Sequence, residues 1–232
     1  MVQIRQHLVS AAVAIKVTGG CKNTRKKVCI HETDNTKKGS GANNHALLQA
    51  NGNSRQASWH WSVDEKEAVQ SFTHDYQCWA AGSTKGNNEA IHIEMCVNAD
   101  GDYVRTVQNT AALVAKILKD ENLTVNDIVQ HNYYSGKNCP SKMRSTSAPI
   151  PWSSFLQMVK SNMQPSTPNN IVKDDDKMQF TNETLKAAVH DYLKQAVDKK
   201  LIDKSHLEKF DAGTLTSGDF EGLKIIIAQR SA

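Results

Sequence analysis

The sequence predicts an α/β domain with a mixed central β-sheet flanked by helices, followed by a small all-α module at the C-terminus. Three observations predict this class. Strand-like and helix-like segments alternate over residues 1–160, a stretch with linker composition follows at 161–176, and residues 177–232 have helical periodicity alone. A chain of 232 residues is long enough for one ordinary domain and a small second one.

The first part of the domain combines strands with one short helix. Residues 27–31 are an apolar run that ends in a histidine, which predicts a strand, and residues 42–50 predict a helix. Residues 57–63 alternate and are rich in aromatic side chains, so they predict a second strand. A polar turn separates them from residues 68–72, and we expect the two segments to form a hairpin.

The second part of the domain contains the most regular patterns. Residues 90–97 alternate between apolar and polar side chains, which predicts a half-buried strand with one face presented to something other than the core. Residues 107–118 carry apolar side chains at helical spacing and predict a helix. Residues 127–131 predict another strand, and residues 152–159 a helix that closes the domain.

The C-terminal module is expected to contain three helices. Its first helix is predicted by one apolar stripe, formed by Leu185, Val189, Tyr192, Leu193, Ala196 and Val197. Residues 201–210 and 220–228 supply two further apolar segments. A module of this size is close to the lower limit for independent folding.

The charge distribution limits the possible partners. The net charge is +4, and residues 1–160 hold 18 Lys+Arg against 13 Asp+Glu, so the positive excess lies on the N-terminal domain. That excess favours an anionic polymer such as a bacterial wall or a nucleic acid. Because no basic run exceeds three residues and no nucleic-acid-binding signature occurs, we predict no nucleic-acid partner. No apolar run approaches the roughly 20 residues of a membrane span, so no membrane insertion is expected.

The cysteines and the N-terminus indicate where the chain is made. Five cysteines, an odd number, are spread widely and do not form a disulfide framework, which favours a reducing cytosol. Residues 8–15 superficially resemble a signal peptide, but the run is short, ends at Lys16 and lacks a convincing cleavage site. We interpret it as the first element of the domain and predict that the chain carries no signal peptide.

Three side chains that are distant in the sequence form a candidate zinc set. His31 and His131 each close a predicted strand, and Cys139 follows eight residues after His131. Two imidazoles and one thiolate leave a fourth tetrahedral position for water, as a catalytic zinc ion requires. Zinc lowers the pKa of a bound water to about 7. Strand ends along one sheet edge can bring these residues together.

Amide hydrolysis also needs a group that moves a proton and a group that stabilises the oxyanion. Glu94, on the non-core face of its strand, is the candidate for the first role, and Lys137 for the second. These residues also have simpler interpretations. Glu94 could face solvent without a catalytic role, and any single histidine could be structural. A structural zinc site formed by Cys21, Cys29 and His31 is another alternative, although its spacing matches no standard zinc knuckle.

Four motifs occur in a fixed order: CIHETDN at 29–35, ASWHWSVD at 57–64, IHIEMCVNADGD at 91–102 and QHNYYSGKNCP at 130–140. Together they resemble the zinc-dependent N-acetylmuramoyl-L-alanine amidases of the amidase-2 type, over roughly residues 2–157. That family includes bacteriophage endolysins and bacterial autolysins, and it shares a fold with peptidoglycan recognition proteins. The resemblance implies cleavage of the amide bond between N-acetylmuramic acid and L-alanine in bacterial peptidoglycan.

The resemblance also implies roles for individual residues. His31, His131 and Cys139 match the family's zinc ligands, and Glu94 and Lys137 match its catalytic residues. Further motif residues, expected to line the substrate site, are Trp59, His60 and Trp79; His60 is alternatively a structural residue.

Two positions differ from what other members of the family carry. Other branches place a tyrosine at the position of Trp59, and because an indole cannot exchange a proton in that way, the proton transfer falls to Glu94. Ala80 stands where the endolysin pattern usually has a histidine, which puts affinity or wall specificity in doubt.

The implied biological role is host-cell lysis by a phage endolysin, made in the host cytoplasm and released through a holin to act on the cell wall. Three alternatives stay open: a host or prophage autolysin, a non-catalytic peptidoglycan receptor, and a zinc peptidase that cuts within the stem peptide. The C-terminal module resembles the short helical tails of some Gram-positive phage endolysins. We expect it to attach to the wall, with self-association as the alternative.

Overall fold

The structure is a computed structural model that describes residues 2–164, 177–178, 180 and 182–231. The chain divides into two compact units, Met1–Pro165 and Ser166–Ala232. The first is an α/β unit with one mixed sheet, and the second contains helices, so the predicted fold class is confirmed. No helix in the described ranges is long and apolar enough to cross a membrane.

The sheet of the first unit has six strands. In chain order they are β1 (Gln3–Gln6), β2 (Lys27–Glu32), β3 (Trp61–Val63), β4 (Glu67–Gln70), β5 (Ala90–Met95) and β6 (Ile128–Gln130). Their spatial order is β1-β4-β3-β5-β2-β6. β3 and β4 form the expected antiparallel hairpin, and all the other neighbours are parallel.

Two strands differ from the sequence-based expectation. β1 was not predicted, because three of its four residues are exposed at the sheet edge and no apolar alternation marks it. The segment predicted as a strand over 57–63 is a strand only at Trp61–Val63. Ser58, which precedes β3, bonds elsewhere: its hydroxyl donates to the carbonyl oxygen of Val17, at 2.7 Å.

Among the described residues, seven α-helices belong to the first unit and three to the second. They are α1 (Ala11–Thr18), α2 (Ala42–Ala50), α3 (Thr84–Glu89), α4 (Tyr103–Asp120), α5 (Asn132–Ser135), α6 (Ser141–Arg144), α7 (Trp152–Met163), α8 (Glu183–Asp198), α9 (Lys204–Asp211) and α10 (Ser217–Arg230). The predicted helices at 42–50, 107–118 and 152–159 are confirmed. Because α7 continues to Met163, the start of the expected linker is helical. Residues 165–176 of that linker lie outside the described residues.

The main core lies between the sheet and the helices α4 and α7. Asp102 caps α4, its carboxylate accepting from the backbone N–H of Arg105 at 3.0 Å. From α4, fully buried residues such as Leu113 and Leu118 pack against the sheet, and Phe155 joins them from α7. Each such side chain contributes about 1.5–3 kcal/mol through burial.

The parallel pairing of β2 with β5 positions polar groups on the other face of the sheet. Val28 and Ile30 of β2 belong to the main core. Because side chains alternate along a strand, Cys29 and His31 point to the opposite face. The register places Cys29 beside His92 and His31 beside Glu94. Four chemically active side chains therefore share one face of two central strands.

The second unit has the three helices that the sequence predicts. Its core contains Leu193 and Ala196 of α8, Phe210 of α9, and Leu223 and Ile227 of α10, together with Ile202 and Leu215. The predicted stripe on α8 is only partly buried. Leu185 is 48% exposed, whereas Leu193 is 0% exposed, because the stripe lies against the core only in the second half of the helix.

Candidate active site

The structure brings His31, His131 and Cys139 together. One ligand atom from each lies within 4.8 Å of the others, and the Nδ1 atoms of the two histidines are 3.0 Å apart. His31 lies near the end of β2, and His131 directly follows β6, the strand beside it. The backbone N–H of His131 donates to the carbonyl oxygen of Ile30 at 3.2 Å, which ties His131 to β2.

The orientation of the His31 ring is set by a residue that we did not predict. Its Nε2 lies 3.1 Å from Nδ1 of His92, a fully buried side chain on β5. This contact occupies one ring nitrogen of His31 and leaves Nδ1 for the centre shared with His131 and Cys139. A partner at the second ring nitrogen is a usual feature of metal-binding histidines. The alternation along β5 does place His92 and Glu94 on one face, but it does not identify a partner of His31.

The ionisation of the three side chains fits a metal centre. Burial lowers the pKa of both His31 and His131, so the imidazoles are neutral and carry the lone pairs that a metal ion needs. Burial raises the pKa of Cys139 to about 12. A thiol in this position ionises at neutral pH when a cation lies next to it. Two neutral imidazoles and one such thiol form a donor set that suits zinc.

A second cluster, formed by Cys29, His31 and His92, lies deeper and shares His31. Cys29 and His92 are fully buried, and burial raises the pKa of the Cys29 thiol well above its ordinary value. Cys21 is exposed and belongs to neither of the two clusters that the described residues form. The alternative of a structural site formed by Cys21, Cys29 and His31 is therefore not supported.

Glu94 and Lys137 line the same cavity as the three ligand candidates. Glu94 Oε1 lies 4.0 Å from Nδ1 of His31. Burial raises the pKa of Glu94 to about 7, and the positive charge of Lys137 opposes that rise. Among the described residues, Glu94 Oε2 has no hydrogen-bond partner. This carboxyl group is therefore free to bind a ligand and can hold or release a proton near neutral pH.

The cavity has a volume of about 290 Å³ and partly aromatic walls. Trp59 and Trp79 both line it, as expected. The indole N–H of Trp59 donates to the hydroxyl of Ser62 at 2.8 Å, so the polar edge of this ring is already used. Trp59 thus contributes apolar surface to the cavity.

Sequence comparison identifies the family. Residues 22–142, a little over half of the chain, match the N-acetylmuramoyl-L-alanine amidase family, Amidase_2. The chain belongs to this family. The resemblance drawn from the four motifs is confirmed, and the matched residues include all five candidate metal-binding and catalytic residues.

Individual relatives agree with this assignment. N-acetylmuramoyl-L-alanine amidase CwlH of Bacillus subtilis (strain 168) is 37% identical over 141 residues, 60% of this chain and 54% of CwlH. XlyA from the same organism is 35% identical over 130 residues, 55% of this chain and 42% of XlyA. The chain thus spans about half the length of these curated relatives.

Solved structures match the first unit in the same way. The catalytic domain of XlyA has a TM-score of 0.61 and 32% identity, covering 68% of this chain and 99% of that domain. A mutant endolysin from Bacillus subtilis gives a TM-score of 0.63 at 32% identity with the same coverage. PlyL gives 0.61 at 28% identity, covering 69% of this chain and 98% of PlyL.

In this amidase-family chain, His60 is not among the residues that line the described cavity. Its Nδ1 accepts from the backbone N–H of His92 at 2.9 Å, and its Nε2 lies 3.0 Å from the carbonyl oxygen of Tyr76. These contacts assign the proton to Nε2 and use both ring nitrogens. His60 therefore has the structural role that was the alternative, joining β5 to the loop that follows β4.

The cavity of this amidase-family chain is also lined by polar residues that we did not predict, among them Thr33, His45 and Arg55. His45 is only 4% exposed, and neither of its ring nitrogens has a partner among the described residues. His45 and Arg55 lie outside the four motifs, and Thr33 lies inside the first motif but was not assigned a role there. Ala80 also lines the cavity, so the histidine usual at this position in endolysins would face the same space.

Proposed function

We propose that this protein hydrolyses the amide bond between N-acetylmuramic acid and L-alanine in bacterial peptidoglycan, with a zinc ion held by His31, His131 and Cys139. The observation that carries the proposal is that these three side chains converge at a cavity that Glu94 and Lys137 also line. Membership of the N-acetylmuramoyl-L-alanine amidase family supports the choice of bond. When bound, zinc supplies Lewis acidity for amide hydrolysis.

Glu94 is suited to move the proton. Its carboxyl group faces the cavity, 4.0 Å from His31 Nδ1, and Oε2 has no partner in the described part of the chain. We propose that Glu94 takes a proton from the attacking water and delivers it to the amide nitrogen as the C–N bond breaks. Proton transfer by a positioned side chain accelerates reactions by about 10²–10⁴-fold.

Lys137 is suited to stabilise negative charge. Its ammonium group is close enough to lower the pKa of both Glu94 and His131 through its positive charge, so it acts on the same space. We propose that it stabilises the carbonyl oxygen, which becomes negative when water adds to the amide. Trp59 and Trp79 line this space with apolar surface, and an apolar surrounding strengthens electrostatic interactions.

Lysis of purified cell walls, followed by turbidity, tests the proposal. We expect the native protein to clear the walls, chelator-treated protein to be inactive until zinc is restored, and Glu94→Ala to bind zinc with almost no lysis. Mass spectrometry of the products identifies the bond, since only an amidase releases intact stem peptides with free L-alanine amino ends. Products cut within the stem would establish the peptidase alternative, and binding without any cleavage would establish the receptor alternative.

We also propose that the protein acts as a phage endolysin that lyses the host, made in the host cytoplasm and released through a holin. Its likeness to a solved Bacillus endolysin and its five free cysteines support this. Expression in a bacterial cytoplasm with and without a co-expressed holin tests it. Lysis that depends on the holin is expected, and equally fast lysis without a holin would contradict this route.

For the second unit we propose attachment to the wall, with self-association as the second candidate. The module carries nine Lys+Arg and eight Asp+Glu over residues 177–232, so simple electrostatic adhesion does not explain attachment. Because α7 runs to Met163, a truncated chain should end at Pro165. We expect it to lose wall binding in a pull-down assay; undiminished binding would refute attachment, and sedimentation of both chains reports self-association.

A further inference from the structure

We infer that Glu32 is a positioning residue of the metal centre, which holds the segment carrying Cys139 against the strand that carries His31. Glu32 is the last residue of β2, directly after His31, and it is only 6% exposed. Nothing in the sequence distinguished it from other acidic residues. The inference rests on the proposed zinc ligands, and it concerns how one of them is held.

The Glu32 carboxylate accepts hydrogen bonds from four donors. Oε1 accepts from the Tyr103 hydroxyl at 2.5 Å and from the backbone N–H of Met143 at 3.3 Å. Oε2 accepts from the backbone N–H of Lys142 at 2.8 Å and from the Ser141 hydroxyl at 3.2 Å. Three of these donors belong to α6, which begins two residues after Cys139. A buried carboxylate with this many donors is a strong and specific anchor.

The backbone of Glu32 reaches the ligand itself. Its N–H donates to Cys139 Sγ at 3.4 Å. Glu32 therefore contacts Cys139 through its main chain and the residues just after Cys139 through its side chain. One residue thus links the two segments that bring His31 and Cys139 together.

The three ligand candidates differ in how they are tied to the sheet. His31 lies within β2, and His131 is tied to β2 by its backbone N–H, which donates to Ile30. Cys139 lies outside the six strands, and within the described part of the chain its backbone bonds to Lys137 and Asn132 of the same connection. Glu32 supplies the missing tie to the sheet. Metal affinity falls steeply when ligands are misplaced by more than about 0.5 Å.

The hydrogen bonding of Glu32 and Glu94 distinguishes a positioning residue from a catalytic one. Both carboxyl groups border the cavity, but both oxygens of Glu32 are used by protein donors, whereas Glu94 Oε2 has no partner in the described ranges. Glu32 has no free oxygen with which to exchange protons with a substrate. Its contribution therefore acts through Cys139.

Metal affinity measured by competition with a chromophoric chelator tests the inference on the full chain. We expect Glu32→Ala to weaken zinc binding by about 10–100-fold, the range found for residues that orient metal ligands. Glu32→Gln should lose less, because the amide keeps one acceptor oxygen, and Tyr103→Phe less again, because it removes one donor of four. Cobalt substitution supplies a second signal, since a weaker or shifted thiolate-to-cobalt absorption band reports directly on Cys139.

Glu121→Gln is the matched control. Glu121 is a largely buried carboxylate of the same unit, paired with Arg25 and His74 away from the cavity. It should change stability without changing zinc affinity or the cobalt band. If Glu32→Ala fails to fold, Glu32→Gln and Tyr103→Phe carry the test. Native affinity and an unchanged cobalt band in folded Glu32 variants would overturn the inference, whereas absence of zinc binding by the native protein would overturn the proposed function itself.

Discussion

The two units of this chain use their interiors differently. The first unit buries five histidines, His31, His45, His60, His92 and His131, together with the carboxylate of Glu32. The described core of the second unit consists of apolar side chains, and its two histidines, His190 and His206, are partly exposed. Buried polar groups cost free energy unless they are paired. The buried polar groups of the first unit therefore indicate that the reactive site lies there.

Because of this difference, the buried residues point to a function in the first unit only. In the first unit, distances, ionisation and the unpartnered Glu94 Oε2 in the described part of the chain support the proposed amide hydrolysis. In the second unit, apolar packing explains stability but leaves the partner to be inferred from the surface. The following experiments test this difference between the two units, beginning with the largest expected effect.

Cys139→Ala should abolish zinc binding and lysis, because two imidazoles alone form an incomplete ligand set. We expect wall-lytic activity to fall by at least about 10³-fold, since both the metal and its Lewis acidity are lost. Zinc content by elemental analysis and turbidity loss are the measurements. Lysis at the native rate would show that the three-residue centre is not the active site, and the contrast between the units would lose its basis.

Glu94→Gln should reduce lysis by about 10²–10⁴-fold at unchanged zinc content, because the amide keeps the shape but cannot transfer a proton. Initial rates on purified walls at matched metal loading provide the measurement. Glu121→Gln is a suitable control, since this carboxylate lies in the same unit and pairs with Arg25 and His74. A comparable loss in both variants would indicate general destabilisation instead of a lost acid–base group.

Leu193→Ala should destabilise the second unit by about 2–5 kcal/mol, as expected for a buried leucine whose removal leaves a cavity. Zinc affinity and the cleaved bond should not change, because Leu193 packs only within the helical core. Urea unfolding monitored by circular dichroism gives the stability change. A parallel loss of zinc affinity would show that the two units are energetically coupled.

Lower pH should destabilise the first unit. Burial lowers the pKa of His60 well below 6.5, and it also lowers the pKa of His45. Both are neutral when folded and gain a proton on unfolding at low pH, so the free energy of unfolding is at its full value above about pH 6.5 and falls as pH decreases below it. Each such histidine contributes a slope of about 1.4 kcal/mol per pH unit until its folded pKa is reached.

The variant His45→Phe tests how much of this pH dependence comes from His45. Both ring nitrogens of His45 lack partners among the described residues, so the phenyl ring removes the cost of burying them. Unfolding free energies between pH 7.5 and 5 should show a shallower slope in this variant, by about one proton. An unchanged slope would mean that His45 does not carry the dependence. The second unit, in which no histidine of the described residues is buried, should lose less stability over the same range.

Prediction from sequence succeeded for helices and strands whose residue pattern has a single, local cause. The strand at 90–97 and the helix at 107–118 follow from apolar periodicity, which backbone geometry imposes directly. The helix at 42–50 was predicted from the Asn51-Gly52 signal that ends it. The edge strand β1 failed this test, because its side chains are mostly exposed and carry no periodic signal. The segment 57–60 failed for another reason: Ser58 bonds to α1 and to the loop at Trp79 instead of to a neighbouring strand.

The residues of the candidate site also differ in whether a local sequence pattern marks them. His31, Glu94, His131, Lys137 and Cys139 were found because their residue types are the ones that this chemistry needs, in motifs with a recognisable order. His92, His45 and Glu32 were missed because their roles depend on neighbours far away in the chain. The Glu32 carboxylate, for example, bonds to residues more than 100 positions later.

The amino-acid sequence by itself determined the α/β class, the helical tail, the family and the identities of the reactive side chains, because these depend on composition and short-range order. Only the tertiary structure decided which ring nitrogen of His31 faces the centre, that the His60 ring bonds to His92 and Tyr76, and that Glu32 bonds to Cys139. Such features arise from long-range packing and hydrogen bonding, and no local segment encodes them.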